Sequence, residues 1–103
     1  MEAKIKVIIK RTDEEYGHVT NISQRLENLQ KTVGGYIETV TIAPGLVIIC
    51  NEDGSSMGLP ENCTVTTEEI SVDFVGDIIV AGVSGDTFDD VPISLKEWKA
   101  MVT

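Results

Sequence analysis

The chain carries few groups able to do covalent chemistry. His18 is its only histidine, set beside Tyr16 in the polar stretch RTDEEYGHVT. A lone histidine in such a loop reads as a solvated side chain before a general base. Cys50 and Cys63 are the only cysteines, and neither stands in a CxxC or CxxH spacing. They read as reduced thiols, with a disulfide between them the less favoured alternative and a zinc site unsupported. Asp86, Asp89 and Asp90 could gather around magnesium, although clustered loop aspartates more often shape turns. Asn51, Asp53 and Gly54 echo part of a calcium loop. Placing Gly54 sixth, however, puts Ile49 first and Pro60 twelfth, where carboxylates are required. No nucleophile with a base and an orienting carboxylate is recognisable. The expectation is a non-enzymatic protein with no cofactor and no metal.

What remains is acidity. The net charge is −9, and it is unevenly placed: residues 1–51 balance six acids with six bases, while residues 52–103 hold eleven acids against Lys96 and Lys99. Residues 32–95 contain neither lysine nor arginine. Such a surface repels nucleic acid and steers a basic partner toward it. Its bland alternative is a solvated face with no target. Glu52, Asp53, Glu61, Asn62, Glu68, Glu69, Asp73, Asp86, Asp89 and Asp90 are the candidate partner-binding residues. Glu69, Ser71 and Asp73 also alternate along a predicted strand, where residues two apart are spaced by roughly 6–7 Å. Carboxylates at that spacing imitate a fragment of a DNA phosphate row.

The elements that must position these groups follow from hydropathy period. AKIKVIIK (3–10) alternates Ile5, Val7 and Ile9 with lysines and predicts a strand near a sheet edge with one solvated face. Asn21 with Gln24 predicts a capped helix over 21–33, its stripe formed by Ile22, Leu26, Leu29 and Val33. YIETVTI and LVIIC predict strands joined at Pro44-Gly45, the second covered on both faces. EISVDFV and DIIVAGV predict two more, joined as a hairpin at Gly76-Asp77. SGDTFDD is an acidic loop, and Ser94 with Glu97 caps a final short helix carrying Leu95, Trp98 and Val102. The fold class is α+β: one domain over 1–103, with a single mostly antiparallel sheet of about five strands and the first helix packed on it.

Gly34 and Gly35 follow the helix and precede a strand. A phosphate cradle needs the reverse order, because only a helix N-terminus offers free N–H groups to an anion. They therefore read as a left-handed cap and a turn. The opening residues lack an apolar signal-peptide core and no segment is long enough to cross a bilayer, so a cytoplasmic protein is expected.

The stretch from Leu29 to Pro60 resembles a family known as domain of unknown function 3846, through VGGYIE, an apolar strand ending in NE-x-G, and GLP followed closely by Asn62. DIIVAGV with its nearby glycine turn also fits. The resemblance implies a small protein of phages, plasmids or other bacterial mobile elements, and brings no activity with it. Together with the base-free stretch it leads to one expectation: inhibition of a host antiviral nuclease in the manner of an anti-CRISPR protein, a basic partner such as a host Cas nuclease meeting the acidic face. The alternatives are a small-ligand module that sequesters a nucleotide signal, and a regulatory protein-interaction domain. A hydrolase using the aspartate cluster is a more remote one.

Overall fold

A computed structural model describes residues 4–103. The elements are β1 (Lys4–Lys10), β2 (His18–Ser23), α1 (Leu26–Val33), β3 (Ile37–Ala43), β4 (Leu46–Asn51), β5 (Glu61–Thr66), β6 (Ser71–Val75), β7 (Ile78–Ser84), β8 (Thr87–Asp89) and α2 (Leu95–Met101). The main sheet runs β2-β1-β7-β4-β3, with β8 pairing the far end of β7; β5 and β6 form a separate two-stranded sheet. Every strand pair is antiparallel. The chain is thus α+β with a mostly antiparallel main sheet, as its sequence predicts.

Three layers follow from the two periods in the sequence. On one face of the main sheet Ile5, Val7, Ile9, Val47, Ile49, Ile79 and Ala81 meet Leu29 and Val33 of α1. On the other, Ile8, Ile48, Ile78 and Val80 meet Val65 and Phe74 of the small sheet and Trp98 of α2. β4 and most of β7 are buried on both sides, which is why they are written as unbroken apolar runs. Trp98 is fully buried and its indole N–H donates to the Tyr16 carbonyl at 2.7 Å, tying α2 to the β1–β2 loop. The capping box of Ser94 and Glu97 is present, and Gly34 occupies the left-handed region at φ 82°.

Four local expectations are corrected. Asn21 caps no helix: it lies within β2, which pairs with β1 from Lys4↔Ser23 to Ile9↔His18, and α1 begins after Arg25. The open ladder of β1 outcompetes the local capping signal, Ile22 packs from the strand, and Leu26 is exposed. β6 does not form a hairpin with β7. It pairs with β5, and Gly76 at φ 72° turns the chain from the small sheet into the main one. β5 itself escaped the sequence pattern because ENCTVT buries only Val65. The SGDTFDD stretch contains β8, three residues that extend the ladder of β7. β1 is solvated on its lysine side only at Lys4 and Lys6, because the small sheet covers Ile8 and Lys10. Ala3, predicted to begin it, lies outside the described residues.

Candidate functional site

The segment between β4 and β5 is held by two asparagines. Asn51 is 6% exposed. Its amide donates to the Val33 carbonyl at the end of α1 (3.2 Å), and its side-chain oxygen accepts the Asp53 N–H (2.8 Å). A Cβ on Gly35 would lie 2.9 Å from the Asn51 amide nitrogen, so the backbone of the glycine pair sits directly on this side chain. Asn62 forms the second tie. Its amide donates to the carbonyls of Lys10 (2.9 Å) and Gly76 (2.7 Å), and its oxygen accepts from the Lys10 ammonium (2.5 Å). Lys10 is only 2% exposed and donates further to the Glu14 carbonyl at 2.7 Å. A buried ammonium without a carboxylate depends on such oxygens, since leaving it unsolvated would cost several kcal/mol.

The carboxylates around these ties point outward. Glu38, Glu52 and Asp73 border an open groove of about 250 Å³ beside Cys50 and Val72. Asp73 is also a wall of a neighbouring groove of about 310 Å³, with Glu61, Thr64 and Cys63. Thr64 donates to Asp73 across the β5–β6 ladder at 2.6 Å, fixing that carboxylate between the two grooves. Four acids thus border two adjoining grooves that share Asp73, Phe74 and Val75 of β6 and together make an acidic furrow. Asp53 is exposed on the same loop but outside both groove linings. Asn62 lines the larger groove with its amide committed to the fold. Glu68 and Glu69 sit at the β5–β6 turn, lining a separate shallow groove against Ile42–Pro44. Glu69 precedes β6, so Glu69, Ser71 and Asp73 do not form a single row along that strand.

Asp86 and Asp89 belong to the β7–β8 hairpin, and Asp90 is the residue just beyond it. The Asp89 carboxylate accepts the Asp90 N–H at 2.8 Å, and Asp90 accepts the Lys6 N–H at 2.7 Å. Asp89 and Asp90 hold main-chain groups at the β1–β8 junction, and none of the three lines the furrow. Glu38 was absent from the sequence candidates because its strand reads as a core element. Its exposure follows from β3 lying at the sheet edge, a fact of topology that no local pattern carries.

Burial shifts both cysteine thiols near the furrow away from the reactive thiolate. Burial, with the Glu38 charge second, pushes the Cys50 thiol up to about 11. Burial also raises Cys63, against a smaller opposing pull from the Lys10 charge. Both thiols are free. His18 opens β2, and its Nδ1 lies 2.8 Å from the Glu14 carboxylate. Burial raises Glu14, but the Arg11 N–H and His18 together outweigh it and leave the carboxyl below its ordinary value. Among the described residues no three histidine, cysteine or acidic side chains form a group that could hold a metal ion. No helix among them is long and apolar enough to cross a membrane.

Fold and surface together define a small three-layer α+β module with an open, carboxylate-lined furrow. The family model described as "Domain of unknown function (DUF3846)" matches residues 5–103, and the chain belongs to that family. No curated protein and no solved structure matches it at comparable stringency.

Proposed function

We propose that this protein acts by binding, and that its acidic furrow docks on a basic surface of a partner protein. The observation carrying this reading is the convergence of Glu38, Glu52, Glu61 and Asp73 on two adjoining grooves within a stretch that has no lysine or arginine from 32 to 95. Open grooves with carboxylate walls suit a macromolecular surface better than an enclosed metabolite, and they repel free nucleotides. The partner we favour is a nuclease of the host cell whose basic nucleic-acid groove the furrow covers. Substrate exclusion needs no catalysis and suits a surface whose charge has the sign of nucleic acid.

The test is affinity capture against nucleic-acid-cleaving enzymes, followed by titration calorimetry over a salt series. Affinity should weaken by at least about tenfold between 50 and 500 mM salt, as screening shortens the reach of the acids. Binding of unchanged strength across that series would overturn the electrostatic reading. Stabilisation by a free nucleotide in a thermal-shift screen would favour a ligand module instead.

A further inference from the structure

β3 ends the main sheet, and among the described residues no strand pairs with it on the side away from β4. The register fixes which main-chain groups this leaves over. The Tyr36 carbonyl accepts the Glu52 N–H at 2.8 Å, in line with the Ile37↔Asn51 and Glu38↔Cys50 pairs beside it. Opposed residues in an antiparallel ladder alternate between exchanging both hydrogen bonds and exchanging none. Counting from Tyr36, Glu38 and Val40 bond to β4, so Ile37, Thr39 and Thr41 direct their N–H and C=O groups away from it. Beyond Thr41 a register shift disturbs the strand, and the Thr67–Glu69 turn lies against Ile42–Pro44. The open edge is therefore residues 37–41.

Free edges are commonly protected by lysine, proline or a bulge. Within 37–41 there is no lysine and no proline, the bulge comes after, and the one charge is the exposed Glu38. Glu38 faces the groove it shares with Glu52 and Asp73. Two copies joined β3 to β3 would bring these carboxylates together, and like charges across a ladder destabilise it. A strand carrying lysine or arginine would gain from the same side chains.

We propose that the β3 edge is a strand-addition site for an extended basic segment of a partner protein. Main-chain bonds to Ile37 and Thr39 supply the attachment, and a lysine or arginine opposite Glu38 supplies the selection. The inference rests on the acidic-surface reading above and adds to it the mode of attachment.

The probe is a capped heptapeptide alternating Lys and Val, titrated at low salt into ¹⁵N-labelled protein. Amide exchange at Ile37 and Thr39 should slow by about tenfold or more as their N–H groups become bonded. Thr39→Pro removes an outward N–H while leaving the bonds of β3 to β4 in place, and it should weaken binding at least about tenfold; Thr39→Val should not. Should Thr39→Pro fail to fold, two N-methylated peptides decide: methylation on one alternating set of residues should abolish binding and on the other should spare it. Absence of binding, unaltered exchange at Ile37 and Thr39, equal affinity for Thr39→Pro, or equal tolerance of both methylation sets would each overturn the proposal. Protection of those amides by dimerisation without peptide would overturn the choice of occupant.

The same variants separate this proposal from the broader one on any captured partner. If Glu38→Gln/Glu52→Gln releases the partner and Thr39→Pro does not, strand addition fails and the acidic-surface reading stands. If the charge variant retains the partner at full affinity, the acidic-surface reading fails.

Discussion

Residues 51–62 hold two kinds of polar side chain that look alike in the sequence and do opposite work. Asn51 and Asn62 turn inward, and each bonds main-chain groups from separate elements. Glu52, Asp53 and Glu61, their immediate neighbours, turn outward and border solvent. The difference is one of desolvation. An amide can satisfy donors and acceptors inside at modest cost, whereas a carboxylate without a partner must stay wet. Several of the residues that carry the family resemblance are therefore accounted for by the fold: Gly34 caps α1, Gly35 admits Asn51, and Asn62 secures Lys10. Glu52, Asp53 and Glu61 make no such tie and stay exposed.

Breaking the inward set should have the largest effect. Asn62→Ala strips the Lys10 ammonium of one of its two oxygens and unties β1 from the Gly76 turn. We expect a loss of about 3 kcal/mol in urea denaturation, from the exposure of a buried charge and two buried carbonyls. Glu61→Ala next to it should stay within about 0.5 kcal/mol, as exposed substitutions do. Equal effects from the two would end the distinction between tie and surface. Gly35→Ala comes next, at about 1–3 kcal/mol, because its Cβ would crowd an Asn51 amide already fixed by two bonds.

Breaking the outward set should leave stability alone and alter encounter. Glu52→Gln/Glu61→Gln should keep the melting temperature within a few degrees while slowing association with a basic partner several-fold at low salt. The two curves should converge as salt rises, and stopped-flow kinetics over a salt series would show it. A loss that persists at high salt would mean the two side chains make specific short-range contacts instead.

The sequence displayed elements more readily than their partners. β4, β7 and α2 were legible because unbroken apolar runs and a capping box are local signals. The Asn21 signal misled because capping preference is worth about 1 kcal/mol, less than the six-residue pairing of β2 with β1. The placement of β6 with β5 was illegible for a related reason. Gly76 permits a turn in either case, and only the burial of Phe74 and Val65 against Trp98 selects the separate layer. For the surface, the charge imbalance was readable, and so were three of the four furrow acids. Glu38 was not, since edge position is decided by strand order and not by anything within YIETVTI. The scatter of Asp86, Asp89 and Asp90 away from the furrow has the same origin.

The two cysteines sharpen the contrast between the layers. Cys50 is 7% exposed, and its thiol is pushed up to about 11 by burial and then by Glu38. Cys63 is half-buried and lines the larger groove. Iodoacetamide at pH 8 should therefore modify Cys63 first, with Cys50 slower by about tenfold or more, read by mass spectrometry of the intact protein. The sign for stability follows from the raised thiol. Its contribution is fully present below the unfolded cysteine value near 9 and is lost as pH rises through about 11. Glu38→Gln should speed Cys50 modification modestly, burial being the larger cause.

The smallest effect belongs to the acid side and to the β1–β2 loop. Glu14 serves twice: its carbonyl holds the Lys10 ammonium, and its carboxylate accepts the Arg11 N–H at 3.0 Å and pairs with His18. Glu14→Gln removes the carboxylate and spares the carbonyl, so it separates the loop's charge from the inward tie. Because the folded carboxyl lies below its ordinary value of 4.5, its contribution is present above that pH and is lost as pH falls through the lower folded value. The pair is partly exposed, so the melting temperatures of the parent and Glu14→Gln should differ by no more than a few degrees at pH 7. That gap should close as pH drops below about 4.5. A gap that stays constant down to pH 3 would show that the glutamine disturbs the loop by shape, and that the carboxylate adds nothing to the hold on Lys10.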